Sequence, residues 1–209
     1  MKPGIYLVAD ADYLKERSVI DVVLAAIRGG VTVVQLRAKH LEGRAYMELA
    51  QTLHTDMAGL NVPLLLNDRA DVAYAVGVEG VHIGQKDLPT QKVRELLGPQ
   101  AIIGLSVETI AQVEQANNLP VNYIAASPVY ATPTKMDTAP AWGIDGLQHV
   151  CRLSRHPVCA IGGLHIQNVK AVRKAGASWA AVVSAICRAN DVERATCDLT
   201  RRFGWQPLA

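Results

Sequence analysis

Two cations close an apolar run early in the chain, in the segment Gln35-Leu36-Arg37-Ala38-Lys39. If that run is a strand, alternation places Gln35, Arg37 and Lys39 on one face. Two cations buried on such a face without partners would be costly, so an anionic partner is implied. The alternative interpretation is a solvated strand end, with Arg37 and Lys39 facing water.

Two carboxylates follow the next apolar runs. Asp68 stands in Asn67-Asp68-Arg69, and Asp87 follows Gly84-Gln85-Lys86. Carboxylates at neighbouring strand ends could share one hard cation, because Mg²⁺ typically takes one or two carboxylates together with substrate phosphates. The alternative is that each aspartate caps the helix that follows it, a position where Asp is common.

Hydroxyl groups surround a proline later in the chain, in Thr132-Pro133-Thr134-Lys135. Two hydroxyls and an ammonium around a rigid residue suit an oxyanion such as phosphate. Thr-Pro-Thr is also ordinary turn sequence, so a simple turn stays open. The segment begins the longest irregular stretch of the chain, and long loops of this kind are usually functional.

Eight short apolar runs recur about every 25 positions and must position these groups. They occupy 5–8, 31–36, 64–66, 80–83, 101–103, 123–125, 158–161 and 179–183. Runs of this length fit strands buried on both faces, and the stretches between them have the three- and four-residue apolar spacing of amphipathic helices. Eight such units predict a closed (β/α)8 TIM barrel with short loops, with an open doubly wound sheet as the alternative.

Glycine and serine end the last two runs, at Gly162-Gly163 and Val183-Ser184. Glycine lets backbone N–H groups approach a ligand, and in such barrels the loops after strands seven and eight often bind phosphate at a helix N-terminus. Two further strand residues are ambiguous. His82 is predicted to be a hydrogen-bonded core residue, and Ser106 is either a helix cap or a donor to substrate.

Composition limits the partners of the chain. With 209 residues, half of them hydrophobic, it can bury one core, so 1–209 is predicted to be a single domain. A net charge of +2 offers no basic face for nucleic acid, and no apolar stretch reaches the roughly 20 residues that span a membrane. The four cysteines have no paired short spacing, and the short N-terminal run resembles no signal peptide, so free thiols and a cytoplasmic location are expected. Many small barrels pair, but no diagnostic patch stands out, so a homodimer is an open question.

Seven of these segments together resemble thiamin phosphate synthase, in order and in spacing. They are 35–39, 67–68, 80–85 with Asp87, 104–106, 132–135, 161–163 and 183–186. Each segment alone is modest, but the set covers nearly the whole chain and is highly specific. The resemblance implies condensation of 4-amino-5-hydroxymethyl-2-methylpyrimidine diphosphate with a thiazole phosphate to give thiamin phosphate and pyrophosphate. In that family the diphosphate leaves first, and the thiazole nitrogen captures the resulting pyrimidine cation.

The resemblance also implies a role for each group. Arg37, Lys39 and Lys135 would be catalytic, holding the diphosphate together with Mg²⁺ on Asp68 and Asp87. Those implied to orient the pyrimidine diphosphate are Gln35, Asn67 and Ser106. Those implied to bind the thiazole phosphate are Thr132, Thr134, Gly163, Val183 and Ser184. The intervening Leu36, Ala38 and Pro133 are counted with the substrate-binding residues.

Three positions depart from the family pattern. His40 stands where Asp often follows the lysine, Lys86 where Glu is common, and Ser127 where Gly often precedes the proline. None removes a residue assigned to chemistry. Rival interpretations are a thiazole tautomerase of the same barrel, a non-catalytic phosphate- or thiamin-binding barrel, and a sugar-phosphate epimerase. The first two need no diphosphate site, and the third needs paired acid–base groups that the strand ends lack.

Overall fold

Eight parallel strands close into a barrel in chain order within the residues that the computed structural model describes, 1–14, 17–132 and 140–204. The strands are β1 (Gly4–Asp10), β2 (Val31–Arg37), β3 (Leu64–Asn67), β4 (Gly80–Ile83), β5 (Ile102–Val107), β6 (Tyr123–Ala126), β7 (Val158–Ile161) and β8 (Trp179–Val182). β1 pairs with both β2 and β8, which closes the ring. The predicted (β/α)8 barrel is confirmed, and the open sheet is excluded.

Helices follow the strands and form the outer layer. They are α1 (Ala11–Leu14), α2 (Val19–Arg28), α3 (Gly43–Asp56), α4 (Ala70–Val76), α5 (Thr90–Leu97), α6 (Ile110–Ala116), α7 (Gly143–Leu153), α8 (Val169–Lys174), α9 (Ser184–Cys187) and α10 (Val192–Phe203). α10 packs against α2 and α8 and covers the seam between the first and last units. In the described part of the chain, no helix combines the length and apolarity needed to cross a membrane.

The strands are apolar because they are buried on both sides. Outward-facing residues such as Leu7 and Leu66 pack in one large core against the helices. Inward-facing residues form a second, smaller cluster that fills the barrel. That inner cluster consists of Tyr6, Val8, Val33, Leu65, Tyr123, Ala125, Cys159, Trp179 and Ala181. The inside of the barrel is therefore a packed floor, and a ligand can enter only above it.

Several strands continue past the apolar runs that predict them. β1 reaches Asp10 and β2 reaches Arg37, and the register places these two residues opposite each other. β3 likewise includes Asn67. The strands can extend to these positions because each polar side chain has a hydrogen-bonding partner. The hydrophobicity of the sequence gives no sign of such partners. The polar strand ends therefore lie on the rigid barrel itself.

Gly104 on β5 makes room for a tyrosine ring. A Cβ at this position would lie 2.1 Å from Cζ and 2.3 Å from the hydroxyl of Tyr123 on the paired strand β6. We expect Gly104→Ala to lower the free energy of unfolding by about 1 to 3 kcal/mol, since overpacking forces a shift of the ring or the strand. Urea unfolding measures this change.

Gly59→Ala is the control for that substitution. Its Cβ would meet nothing within 4 Å, and its φ of +81° introduces only backbone strain, worth roughly 1 kcal/mol. A Gly104→Ala protein that loses no more stability than Gly59→Ala would contradict the packing assigned to Gly104.

Candidate active site

A cavity of about 1070 Å³ opens at the carboxyl ends of the strands. Every strand contributes a residue to its wall at its end or directly after it. Taken strand by strand, these include Asp10, Arg37, Asn67, Gly84, Ser106, Ser127, Gly162 and Val183. This face of a TIM barrel is where active sites are built, because the βα loops converge there. The cavity is therefore the candidate active site.

Arg37 has an anionic partner within the protein. Its guanidinium lies 2.5 Å from Oδ2 of Asp10, a carboxylate only 3% exposed, and 3.9 Å from Asp12. The anionic partner expected for Arg37 is therefore present within the protein, because β1 supplies it. Asp10 and Asp12 were not among the predicted site residues, although two carboxylates just after the first apolar run were a signal. His40, one of the three departures, contacts Asp12 through Nδ1.

Lys39 lies at the mouth of the cavity. Its Nζ is 3.4 Å from Oδ2 of Asp68, and its side chain is 58% exposed. Exposure at this level leaves the ammonium hydrated and free to move toward an anion that enters. Lys86, the second departure, also lines the cavity and adds a cation to the same rim.

Asp68 and Asp87 lie close enough for their carboxyl groups to interact directly. Burial and the neighbouring charge of Asp87 raise the pKa of Asp68, and Lys39 partly offsets this. Asp68 has φ of +64°, in the left-handed region that few residues other than Gly adopt. Strain of this kind clusters at functional sites.

Neither aspartate caps a helix. The residue preceding α4 is Arg69 and the one preceding α5 is Pro89, and neither helix receives a side-chain cap bond. Oδ2 of Asp87 instead accepts the backbone N–H of Gly84 at 2.6 Å. The capping interpretation is therefore wrong for both carboxylates.

The carboxylate pair fits a hard divalent cation. In the ranges described, no cluster of three or more His, Cys, Asp or Glu side chains could hold a metal. Two carboxylates suffice for Mg²⁺ when substrate phosphates complete its shell. Burial first, and the neighbouring Asp87 second, raise the pKa of Asp68, and a cation bound between the two carboxylates would offset both effects.

Polar side chains form the floor of the cavity. Nε2 of Gln35 donates to Oδ1 of Asn67 at 2.9 Å, and Nε2 of His82 lies 2.9 Å from Oγ of Ser106. The N-cap of α6 is Thr109, so Ser106 is not a cap. The prediction of His82 as a hydrogen-bonded core residue is confirmed, with the addition that its ring also lines the cavity.

Leu36 and Ala38 alternate with these polar residues and point the other way. Both are buried in the outer core between the barrel and the helices. Neither residue is among the described residues that line the cavity. Their role in substrate binding stays a prediction.

The opposite side of the cavity carries the residues predicted for the second phosphate. Thr132, Gly163, Val183 and Ser184 all line it, and Ser184 begins the short helix α9. Pro133, Thr134 and Lys135 lie outside the described residues. The glycine at 163 has a packing reason that the sequence did not show, because a Cβ there would lie 2.8 Å from the carbonyl oxygen of Ala131.

The comparisons by sequence point to one family. The family model "Thiamine monophosphate synthase" matches residues 5–186. Thiamine-phosphate synthase of Albidiferax ferrireducens is 49% identical over 187 residues, which cover 90% of this chain and 85% of that protein. The Syntrophomonas wolfei protein of the same name is 44% identical over 190 residues, which cover 91% of each. A solved structure, thiamine phosphate pyrophosphorylase from Pyrococcus furiosus, superposes with a TM-score of 0.86 at 32% identity and covers 96% of this chain and 95% of that one.

The family match runs from the first strand to the loop after the last one and so includes every strand end that forms the cavity. Together with the identity to relatives over most of their length, this establishes that the chain belongs to the thiamine monophosphate synthase family.

Proposed function

We propose that the protein is a transferase that joins 4-amino-5-hydroxymethyl-2-methylpyrimidine diphosphate to a thiazole phosphate, releasing pyrophosphate and forming thiamin phosphate. The observation that carries the proposal is the arrangement at the ends of β2, β3 and β4. There Lys39 pairs with Asp68, Asp68 interacts with Asp87, and Arg37 lines the same cavity. Cations next to a site for a divalent ion are what a diphosphate leaving group requires.

The diphosphate would bind at this mouth. Lys39 offers an exposed ammonium within reach of it, and Arg37 offers a guanidinium whose position is fixed by Asp10. Asp68 and Asp87 would hold Mg²⁺. When bound, the metal ion would neutralise charge that develops on the diphosphate oxygens as they depart. Lys135 is proposed to act with these groups on the strength of the family resemblance.

The reaction is proposed to be dissociative. The bond between the pyrimidine methylene carbon and the diphosphate oxygen breaks first, and the electron pair leaves with pyrophosphate. The thiazole nitrogen then forms the new bond to that carbon. Preorganised cations aimed at the leaving oxygens lower the barrier to such an ionisation, because they need no reorganisation as charge develops.

The two rings would occupy different parts of the cavity. The pyrimidine would lie on the floor, where Gln35, Asn67 and Ser106 present fixed hydrogen-bonding groups. The thiazole phosphate would lie on the opposite side, near Thr132 and Ser184. A cavity of about 1070 Å³ has room for both at once.

A direct assay tests this function. Purified protein is mixed with the pyrimidine diphosphate, the thiazole phosphate and Mg²⁺, and thiamin phosphate and pyrophosphate are measured. We expect both products in equal amounts, and a loss of at least about 100-fold in rate when the metal is chelated. Re-addition of Mg²⁺ should restore the rate. Folded protein that yields neither product would contradict the proposal and favour the thiazole tautomerase.

A further inference from the structure

A continuous chain of hydrogen bonds crosses the barrel beneath the cavity. Oγ of Ser106 lies 2.9 Å from Nε2 of His82, and Nδ1 of the same ring lies 2.8 Å from the hydroxyl of Tyr123. That hydroxyl is 2.9 Å from the hydroxyl of Tyr6, which lies 3.2 Å from Oε1 of Gln35. The chain therefore connects Ser106 on one side of the floor with Gln35 on the other.

The chain has a direction because each hydroxyl has one hydrogen. Oε1 of Gln35 can only accept, so Tyr6 donates to it. The hydrogen of Tyr6 is then used, and Tyr123 must donate to Tyr6. The hydrogen of Tyr123 is used in turn, so Nδ1–H of His82 donates to Tyr123. Full burial raises the pKa values of Tyr6 and Tyr123 well above the ordinary value for tyrosine, so both hydroxyls remain protonated.

The hydrogen-bond direction also fixes the tautomer of His82 and the role of Ser106 at the cavity. A neutral imidazole carries one hydrogen, and here it is on Nδ1. Nε2 is then an acceptor, and the hydroxyl hydrogen of Ser106 points at it. Ser106 is left with lone pairs alone toward the cavity. At the other end, Nε2 of Gln35 donates to Oδ1 of Asn67, which leaves the amide nitrogen of Asn67 as the group that can face a ligand.

We propose that Tyr123 is a positioning residue that holds His82 as the Nδ1–H tautomer and thereby makes Ser106 an obligate acceptor, so that the floor selects ligands that present an N–H group to it. The identity of that group rests on the proposed function. It is the exocyclic amine of the aminopyrimidine, which offers hydrogen to Ser106 beside a ring nitrogen that can accept from Asn67. An oxo group in its place would set one acceptor against another, because Ser106 has no hydrogen left to donate to it.

The residues around Tyr123 pack closely against its ring. Gly104 leaves space for its ring, which stacks on His82 at 5.6 Å between centroids and lies 5.8 Å from Trp179. Tyr123→Phe removes only the hydroxyl and keeps this packing. Nδ1 of His82 then loses its acceptor, and the ring is expected to move its hydrogen to Nε2 and donate to Ser106. The hydroxyl of Ser106 is thereby released to donate into the cavity.

Nitrogen NMR of the histidine rings tests the chain without substrate. Two-bond and three-bond ¹H–¹⁵N correlations distinguish the tautomers, and His82→Asn identifies the His82 signals by their loss. We expect neutral Nδ1–H in the wild type at pH 7.5 and Nε2–H in Tyr123→Phe. Tyr6→Phe should give the same change, because Tyr123 is then free to donate to His82. This second variant answers the question if the first does not fold.

Tyr46→Phe is the matched control for the tautomer. Its hydroxyl is also buried and hydrogen-bonded, to the carbonyl of Leu36 and the N–H of Asn67, but it does not contact the chain. We expect His82 to stay Nδ1–H in this variant. Wild-type His82 as Nε2–H or as imidazolium at pH 7.5, or a tautomer unaffected by loss of the Tyr123 hydroxyl, would overturn the proposal.

Calorimetric titration tests the selection. The probes are 4-amino-5-hydroxymethyl-2-methylpyrimidine and its 4-oxo counterpart. Neither carries a diphosphate, so their affinities depend on contacts with the floor of the cavity. We expect the wild type to prefer the amine by about tenfold or more, and Tyr123→Phe to lose most of that preference. An unchanged preference in a variant whose tautomer has moved would overturn the selective role.

The two proposals can fail separately. A protein that makes no thiamin phosphate but holds His82 as Nδ1–H would lose the proposed reaction and keep the hydrogen-bond chain. A protein that makes thiamin phosphate with His82 as Nε2–H would lose the chain and keep the reaction.

Discussion

Asp68→Asn is expected to lower Mg²⁺-dependent turnover by about 100-fold or more, since it removes one of two carboxylates proposed to hold the metal. The same substitution is expected to stabilise the metal-free protein. Burial and Asp87 disfavour the ionised form of Asp68, as the raised pKa of its carboxyl group shows. Asn removes that charge and also tolerates the left-handed backbone, where φ is +64°.

The gain in stability has a defined pH dependence. Because the folded-state pKa of Asp68 lies above its unfolded value, the ionised carboxylate costs stability in full above the folded-state pKa, and the cost shrinks to nothing as the pH falls from there to the unfolded-state value. In the presence of chelator, the melting temperature of Asp68→Asn should therefore exceed that of the wild type at neutral pH, and the difference should shrink in acid. Lys39 loses its partner in the variant, but its own side chain is 58% exposed, so water screens the pair and its contribution is small.

Asp71→Asn is the matched control for Asp68→Asn. Asp71 lies three residues away, is exposed and pairs with Arg69 at the surface. We expect turnover within about twofold of the wild type, as for a surface charge outside the site. Full Mg²⁺-dependent turnover in Asp68→Asn would remove Asp68 from the proposed metal site.

Arg37→Ala is expected to reduce turnover by about 100- to 1000-fold. This is the range seen when an enzyme loses one preorganised hydrogen-bond donor that stabilises charge developing in the transition state. It should also lower the free energy of unfolding by about 3 kcal/mol, because Asp10 is left buried without its partner. Steady-state rates and urea unfolding measure the two effects separately. A loss of turnover in Arg37→Ala alone would not separate chemistry from folding.

The double variant Asp10→Asn with Arg37→Ala makes that separation. Neutralising Asp10 removes the unpaired buried charge, so most of the lost stability should return while turnover stays low. Recovery of both stability and turnover in the double variant would mean that Arg37 serves only as the partner of Asp10. Arg28→Ala is the control, since it breaks an exposed pair with Glu193 and should leave turnover unchanged.

The barrel could be predicted because its strands are buried on both faces and therefore appear as continuous apolar runs. Each of the eight runs overlaps one strand of the structure, and the cations, carboxylates and hydroxyls were predicted from the positions that follow the runs. Asp10 also follows the first run, but its role as a counter-charge could not be predicted, because it depends on Arg37, which lies 27 positions away in sequence and opposite it on the neighbouring strand.

The sequence by itself determined the type of fold and the kinds of groups at each strand end, since both follow from local periodicity. The tertiary structure alone decided how those groups are charged and oriented. Tyr6 and Tyr123 are ordinary apolar-strand residues in the sequence, yet their hydroxyls meet inside the barrel across 117 positions. Hydrogen-bond direction and counter-charge depend on which atoms face each other, and closure of the barrel brings together residues whose separation in sequence gives no sign of contact.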